Sequence, residues 1–296
     1  MEAGKPSQTA LMVAALRARH FIDAPKPKIL KDSLAATVSG LGTHDQIRSY
    51  LGMIEKSLAT MSDTETAELF VKNIEYSVCA RARLVEEELV TAKLKGATQF
   101  IILGAGLDTT AYREIDLCSG INVFEVDHPD SQSWKLQQLS DAKIPIPKNL
   151  KFVPFDFENT TLMKALSDGG VSTDAITVFS WLGVQMYLTD KAVKETIKVV
   201  SSFPPKSSLI MDFVQPEYKE VVSESDSLDR LRKIVSGMGE PLLSAYSVPE
   251  LNAVFKDLGL SDSSFPTIGE FTHKYMSSDY DMKMSDKAQF LAIGRV

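Results

Sequence analysis

The sequence contains few of the residues that build disulfide frameworks or metal sites. Two cysteines, Cys79 and Cys118, occur in 296 residues, and the four histidines show no paired metal-ligand spacing. We therefore expect no disulfide and no metal ion. Both cysteines fit buried apolar positions, and such sparing use of cysteine is typical of a protein of the reducing cytoplasm.

Long apolar runs and an excess of positive charge are also missing. The apolar stretch from Ala10 to Leu16 ends at Arg17, and the first residues lack a basic segment, so we predict neither a signal peptide nor a membrane span. The net charge of -7 argues against a nucleic-acid partner, because phosphate binding requires a basic face. We expect a small-molecule or peptide acceptor, and the composition leaves the oligomeric state open.

The length and composition are typical of one globular domain with a sizeable core. Of the 296 residues, 44% are apolar and 24% are charged. We predict a single domain, 1–296, with a helical cap over 1–96 and an α/β core over 97–296. In the cap, Ser7 is predicted to begin a helix that extends to about Phe21. Further helices are predicted over Lys31–Val38, Asp45–Ala59 and from Asp63 to Gly96.

From residue 98 onward, short apolar runs alternate with helical periods, which predicts a parallel sheet with helical crossovers. The predicted strands are 99–103, 121–126, 150–155, 174–181 and 207–214. The predicted helices between them are 109–118, 130–140, 159–167 and 189–202. A helical insertion, 216–246, and a helix over Pro249–Leu258 follow. Strand-like segments near Phe265–Tyr275 and Lys287–Val296 predict a terminal hairpin.

A glycine turn follows the first predicted strand and organises the alternating part. Phe100–Leu103 is a continuous apolar run, which suits a strand buried on both faces. Gly104 and Gly106 let the backbone turn tightly and bring bare N–H groups close to a ligand, and Asp108 or Thr109 can cap the next helix. The alternative is a strand–helix turn that needs glycine for packing alone.

Acidic residues end the second predicted strand about twenty positions after the glycines. Either Glu125 or Asp127 can accept hydrogen bonds from ribose hydroxyls there, which indicates a nucleoside ligand. A dinucleotide is the rival, but its fingerprint requires a small residue where Thr109 stands. The pattern therefore favours S-adenosylmethionine over NAD.

Five segments, in this order along the chain, resemble the leucine carboxyl methyltransferase family. They are Ser7–His20, Ala80–Arg83, Leu103–Thr109, Phe124–Pro129 and Gly183–Leu188. The first segment is similar to the bacterial branch, which is linked to polyketide and other secondary metabolism. The resemblance implies a class I methyltransferase fold, which is a Rossmann-like α/β sheet, mostly parallel, with a C-terminal antiparallel hairpin and an N-terminal helical cap.

The resemblance also implies that S-adenosyl-L-methionine binds at the carboxyl ends of the first strands and leaves as S-adenosyl-L-homocysteine. Asp127 would bind the ribose hydroxyls, Arg81 the cofactor carboxylate, and Asp156 with Phe157 the adenine. The implied cofactor-binding residues are Arg81, Gly104, Ala105, Gly106, Asp108, Asp127, His128, Asp156, Phe157 and Trp181.

Structural alternatives stay open for several of these residues. Arg81 also fits a solvated helix face, since Arg83 and Glu87 stand at i,i+4 and acidic residues lie about one turn from Arg81. Asp156 also fits a helix cap beside a core phenylalanine. His128, which precedes a proline, also fits an exposed loop.

Three residues depart from the family pattern. Leu182 stands where the family usually has a glutamate, so one polar cofactor contact is missing or replaced. Thr110 replaces an arginine that bacterial members commonly carry, and Glu86 replaces the usual aspartate. The implied fold survives all three departures, whereas the first weakens the implied activity.

The chemistry of the acceptor decides which catalytic residues are needed. A carboxylate, with an ordinary pKa of about 4, is already a nucleophile at neutral pH, whereas a hydroxyl requires a general base. Candidate bases are His20, His128 and His273, with Tyr187 as an orienting hydroxyl. His20 ends an apolar helix, so it faces either the acceptor or the core.

The sequence therefore predicts an O-methyltransferase that acts on a carboxyl group, or on a hydroxyl group, of a small metabolite such as a carboxylic acid or phenol. The alternatives are methylation of a protein's C-terminal leucine and a non-catalytic cofactor-binding module. We expect the helical cap and the insertion 216–246 to form the acceptor pocket. The insertion supplies Tyr218, Met238 and Tyr246, and its Gly237 and Gly239 are either hinges or part of a turn.

Overall fold

The computed structural model describes residues 6–60, 64–156, 161–216, 242–272, 274–275 and 289–296. Four helices in this part precede the first strand: α1 (Gln8–Asp23), α2 (Ala35–Ser39), α3 (His44–Ala59) and α4 (Thr64–Leu94). The side chain of Ser7 accepts a hydrogen bond from the backbone N–H of Ala10 at 3.2 Å and so begins α1 as predicted. After α4, Gly96 adopts a φ of 96°, and the N–H of Ala97 bonds to the carbonyl of Ala92 at 3.0 Å.

The described residues contain one seven-stranded sheet. Its strands are β1 (Gln99–Leu103), β2 (Asn122–Asp127), β3 (Leu150–Pro154), β4 (Thr177–Trp181), β5 (Ser208–Val214), β6 (Asp262–Ser264) and β7 (Gln289–Arg295). The strand order is β3-β2-β1-β4-β5-β7-β6, with β1 to β5 parallel and β7 antiparallel to both of its neighbours. This confirms the predicted mostly parallel α/β sheet with an antiparallel C-terminal pair.

Helices connect the strands as α5 (Thr110–Arg113), α6 (Ile115–Cys118), α7 (Pro129–Asp141), α8 (Leu162–Asp168), α9 (Asp190–Ser201), α10 (Val248–Asp257) and α11 (Ile268–Thr272). The single helix predicted over 109–118 is wrong, because the chain leaves helical geometry at Glu114, where φ is -106° and ψ is 51°. Arg113 is buried at this break, where it pairs with Glu86 and Glu114.

The strand predicted over Phe265–Tyr275 is also wrong, because most of that segment forms α11 or lies in turns. Ile268 and Phe271 are buried three residues apart, which is a helical rather than a strand spacing. Thr267 and Glu270 close a reciprocal cap: each backbone N–H bonds to the other residue's side chain, at 2.9 and 3.0 Å. The outer strand of the antiparallel pair is instead β6.

The first strand is buried on both faces, as its apolar run predicts. Phe100 and Ile102 belong to the core that includes α1 to α4, whereas Ile101 and Leu103 belong to the core on the opposite face. Successive residues of a strand point to opposite faces, so β1 joins the two cores. Among the described helices, none combines the length and apolarity needed to cross a bilayer.

Most of the insertion predicted over 216–246, with Tyr218, Gly237, Met238 and Gly239, lies outside the described residues, as do Phe157 and His273. Its described end, 242–246, is not helical. There the hydroxyl of Tyr246 donates to the carboxylate of Asp190 at 2.5 Å, and its N–H bonds to the carbonyl of Val214 at 3.0 Å. Tyr246 is therefore tied to α9 and β5.

Candidate functional site

The glycine turn joins β1 to α5 and is closed by hydrogen bonds within the protein. Gly104 and Gly106 have φ values of 65° and 48°, a region that strongly favours glycine. The N–H groups of Gly104 and Ala105 both donate to the carbonyl of Val126, at 2.8 and 3.1 Å, and that of Gly106 donates to Asp127. The expectation that these glycines bring bare N–H groups to a ligand is therefore wrong: the N–H groups hold the turn onto β2.

Close packing is a second reason for glycine at both positions. A Cβ atom at Gly104 would overlap Cγ2 of Val184, which follows β4. A Cβ at Gly106 would lie 3.4 Å from the Cβ of Ala10, so the first turn of α1 lies directly over the glycine turn. The packing alternative thus accounts for Gly104, and α1 and the segment after β4 both border the turn.

Asp127 ends β2 and bonds to the glycine turn through its side chain. One carboxylate oxygen accepts from the N–H of Gly106, and the other accepts from the N–H of His128 at 2.7 Å. The side chain is half-buried, and burial raises its pKa against the opposing effect of these two N–H donors. Because each carboxylate oxygen has two lone pairs, acceptor capacity remains for hydroxyl donors.

Glu125, the other candidate residue for binding the ribose, forms a buried ion pair. Its carboxylate lies 2.7 Å from the ammonium of Lys135 on α7, and both side chains are 1% exposed. Burial raises the pKa of Glu125 to about 7, against the lowering effect of Lys135. This pair fastens α7 to β2, which leaves Asp127 as the accessible acid.

Asp108 caps the helix that follows the turn. Its carboxylate accepts from the N–H of Thr110 at 2.7 Å, whereas the hydroxyl of Thr109 accepts from Nε of Arg113 at 3.1 Å. Of the two capping candidates, Asp108 therefore supplies the bond that begins α5.

Arg81 lies on α4 with its guanidinium against the segment that follows β4. Its Nη1 donates to Oδ2 of Asp212 at 2.5 Å, and Oδ1 of Asp212 accepts from the N–H of Gly183 at 2.6 Å. A Cβ at Gly183 would lie 2.8 Å from Nη2 of Arg81. Arg81 is buried, so the alternative of a solvated helix face is wrong.

The sequence analysis did not identify Asp212, which is fully buried in β5. Its signal was present: one acid stands among apolar residues in Leu209–Val214. A carboxylate in a strand buried on both faces requires a charged or N–H partner. The basic residues of α4, which precede the sheet, are candidates for such a partner.

A buried charged network lies beneath the glycine turn. Arg17 of α1 donates to the carbonyl of Leu107 at 2.5 Å and lies 3.5 Å from the carboxylate of Asp32. Arg113 lies 3.9 Å from the other oxygen of Asp32 and also pairs with Glu86. Burial raises the pKa of Glu86 against the lowering effect of Arg113. The network ties α1 and α4 to the turn.

The two described histidines that were candidate bases are engaged in the fold. His20 is 1% exposed; its Nδ1 lies 3.3 Å from Glu75, and its ring packs edge-on against Tyr76. This places it between α1 and α4, as in the core alternative. His128 is half-exposed and caps α7, since its Nδ1 accepts from the N–H of Asp130 at 3.2 Å.

The remaining predicted residues lie around the ends of β3 and β4. Asp156 is half-buried just after β3. Tyr187 is half-buried in a 3-10 turn, Gln185–Tyr187, and packs against Met186 and Val214. Trp181 is fully buried in the core, so its backbone alone can border a ligand. Within the described ranges, no group of three or more His, Cys, Asp or Glu side chains could hold a metal ion.

The residues that border the turn fit the chemistry of S-adenosylmethionine. The half-buried carboxylate of Asp127 is an acceptor suited to ribose hydroxyls, and the guanidinium of Arg81 is a donor suited to an α-carboxylate. A chain of contacts connects them: Gly106 bonds to Asp127, Gly104 packs on Val184, and Gly183 packs on Arg81. Together they form one continuous edge of the sheet.

Comparison with known proteins agrees with this geometry. A sequence profile of the family described as leucine carboxyl methyltransferase matches residues 10–201. YktD of Bacillus subtilis (strain 168), a candidate S-adenosyl-L-methionine-dependent methyltransferase, is 32% identical over 269 residues, which are 88% of each chain. A candidate S-adenosyl-L-methionine-dependent methyltransferase of Mycobacterium avium (strain 104) is 27% identical over 71% of this chain and 64% of its own length.

Solved structures resemble the whole chain. A candidate methyltransferase from Thermobifida fusca YX superposes with a TM-score of 0.56 at 16% identity, over 99% of this chain and 96% of that one. A DUF574 family protein from Streptomyces avermitilis MA-4680 superposes with a TM-score of 0.57 at 12% identity, over 98% and 97% of the two chains. At such identities the likeness concerns the fold.

The sheet order, the glycine turn and the acid at the end of β2 define a class I methyltransferase fold. The chain belongs to the leucine carboxyl methyltransferase family, which confirms the resemblance seen in its five sequence segments. It is accordingly a methyltransferase that depends on S-adenosyl-L-methionine.

Proposed function

We propose that the chain methylates an oxygen atom, and that the acceptor is the carboxylate of a small molecule. The observation that carries this proposal is that His20 and His128, the two described candidate bases, are both engaged in the fold, combined with the family match over residues 10–201. The ring of His20 is buried against Glu75 and Tyr76. A carboxylate is already ionised at neutral pH, so it requires no base.

His128 supports the same proposal through its capping bond. In the neutral imidazole one ring nitrogen carries the proton and the other carries the free lone pair. Nδ1 uses that lone pair to accept from the N–H of Asp130. That bond engages Nδ1 in capping α7, so this nitrogen is not free to accept a proton from an acceptor hydroxyl.

The proposed roles follow from the donors and acceptors at the site. Asp127 binds the ribose hydroxyls, Arg81 binds the cofactor carboxylate, and Asp156 accepts from the exocyclic amine of the adenine. The cofactor supplies an electrophilic methyl group. The acceptor oxygen forms a bond to the methyl carbon while the carbon–sulfur bond breaks, so no proton is transferred. Charge is lost as the two ions combine, which a dry pocket favours.

Transfer of a labelled methyl group tests the proposal. The protein is incubated with methyl-labelled S-adenosylmethionine and matched carboxylic acids and phenols, and the products are then treated with alkali. A methyl ester releases labelled methanol, whereas an aryl methyl ether keeps its label. We expect labelled methanol, with a rate nearly independent of pH above about 5, where the acid is ionised. Alkali-stable label, with a rate that rises towards pH 10, would contradict a carboxylate acceptor.

A second candidate acceptor is the C-terminal carboxyl of a leucine-ending protein, which the description of the family favours. Peptides that end in leucine, as the free acid and as the amide, distinguish this function from the first. Methylation of the free acid alone would support it. Turnover on any acceptor excludes a module that binds the cofactor without catalysis.

A further inference from the structure

Asp212 is the one described acid that contacts both Arg81 and the segment after β4. Its Oδ2 accepts from Nη1 of Arg81 at 2.5 Å, and its Oδ1 accepts from the N–H of Gly183 at 2.6 Å. The carboxylate is fully buried, so it cannot itself touch a ligand in this structure. Two oxygens of one side chain therefore fix the positions of a helix side chain and a loop backbone.

The geometry around Gly183 leaves the guanidinium little freedom. Gly183 has a φ of 69°, and a Cβ there would lie 2.8 Å from Nη2 of Arg81. The guanidinium thus lies against bare backbone on one side while Asp212 holds Nη1. Within the described part of the chain, no further hydrogen-bond partner is found for Arg81, so its other N–H groups remain for an anion.

We propose that Asp212 is a positioning residue that aims Arg81 at the carboxylate of the cofactor. This inference rests on the proposed role of Arg81. A long arginine side chain loses considerable rotamer freedom when it binds an anion, and a buried partner that holds it beforehand lowers that cost. The same bond to Gly183 keeps the backbone after β4 against the guanidinium, so Arg81 and the loop form one preorganised surface.

The alternative is that the pair merely fastens α4 to β5. In that case, loss of the ion pair would disturb the fold and would lower the affinity for every ligand by the same factor. A positioning role differs because it affects only the contact between Arg81 and the carboxylate of the ligand. Loss of Asp212 would then weaken binding of a ligand that has the carboxylate and spare one that lacks it.

S-adenosylmethionine and its decarboxylated form provide this comparison, because they differ by the carboxylate alone. Calorimetric titration of the intact protein with each compound, without acceptor, gives two affinities and their ratio. Asp212→Asn keeps an oxygen that can accept from Gly183 but presents an N–H₂ group to the N–H groups of Arg81. We expect about tenfold or greater loss of affinity for S-adenosylmethionine and less than about twofold for the decarboxylated form.

Arg81→Met separates failure of this inference from failure of the proposed function. If Arg81→Met abolishes the preference for the carboxylated ligand while Asp212→Asn keeps it, Arg81 binds the carboxylate and Asp212 does not position it. If Arg81→Met leaves the preference intact, the proposed role of Arg81 fails, and the inference fails with it. Equal losses for both ligands in Asp212→Asn would make Asp212 a structural residue.

A second variant covers the case in which Asp212→Asn does not fold. Asp212→Glu retains the buried negative charge but moves the carboxylate by one methylene, which displaces Arg81. We expect this variant to unfold cooperatively and to show a reduced ratio of the two affinities. An unchanged ratio in a folded Asp212→Glu protein would overturn the positioning role.

Discussion

The side chain of Asp127 accepts a hydrogen bond from the backbone N–H of Gly106, so the acid at the end of β2 and the turn after β1 are one structural unit. The same carboxylate accepts from the N–H of His128 at 2.7 Å. These bonds orient a half-buried carboxylate towards the edge of the sheet. The position of the Asp127 carboxylate, the proposed ribose ligand, therefore depends on the geometry of the turn.

Gly104→Ala should destabilise the protein by about 2–4 kcal/mol, because a side chain at φ 65° is strained and its Cβ would overlap Val184. Urea unfolding measures the loss. Gly52→Ala in α3 is the matched control, since a Cβ there meets no atom within 4 Å, and it should stabilise by about 0.5–1 kcal/mol. Equal stability of the two variants would show that the turn tolerates a side chain.

Arg17→Met should destabilise the protein by about 3–5 kcal/mol, because it leaves the buried carboxylate of Asp32 with the N–H of Leu34 at 3.2 Å and Arg113 at 3.9 Å, and removes the bond to the carbonyl of Leu107. Chemical denaturation gives the free energy of unfolding. Lys191→Met is the control, since its pair with Glu195 at 3.8 Å is solvent-exposed and should contribute about 0.5 kcal/mol or less. A similar small effect for both variants would mean that Arg17 does not anchor α1.

The pair of Glu125 and Lys135 should make stability depend on pH. Burial raises the pKa of Glu125 from 4.5 to about 7, so the folded protein holds this proton more tightly than the unfolded chain does. The stability is then fully present below about pH 4.5 and is lost as pH rises towards 7. We expect wild type to lose about 3 kcal/mol over this range relative to Glu125→Gln/Lys135→Met, which has no titrating acid there.

Thermal or urea unfolding of both proteins at several pH values between about 4 and 7.5 checks this expectation. The double variant replaces both charges, so it avoids leaving one of them buried without a partner. Parallel stability curves for the two proteins would show that Glu125 titrates at its ordinary pKa and that burial does not shift it.

The sequence predicts the parallel sheet because its strands are local patterns. The apolar run Phe100–Leu103 and the acid at Asp127 are both visible along a few residues, and both lie where the alternation of strands and helices places them. The antiparallel C-terminal pair was also predicted, although its outer strand is β6 rather than the segment after Phe265. In that segment the three-residue spacing of Ile268 and Phe271 and the reciprocal cap between Thr267 and Glu270 both favour a helix.

Contacts between distant segments could not be predicted from such patterns. Arg81 and Asp212 lie 131 positions apart, so only the assembled sheet shows that they meet. The orientation of His20 depends in the same way on how α1 packs on α4. The N–H groups of the glycine turn were expected to face a ligand, but their acceptors on β2 become apparent only when the two strands are paired.

The central claim is that the edge above β1 and β2 binds S-adenosylmethionine through Asp127, and calorimetric titration of wild type and Asp127→Asn tests it most directly. Asp130→Asn is the control, because it removes a half-exposed charge three residues away. We expect Asp127→Asn to lose about 1.5–3 kcal/mol of binding free energy, which is about 10- to 150-fold in affinity, and Asp130→Asn to bind as wild type does. Absence of binding by wild type at millimolar cofactor, or equal affinities for wild type and Asp127→Asn, would contradict the claim.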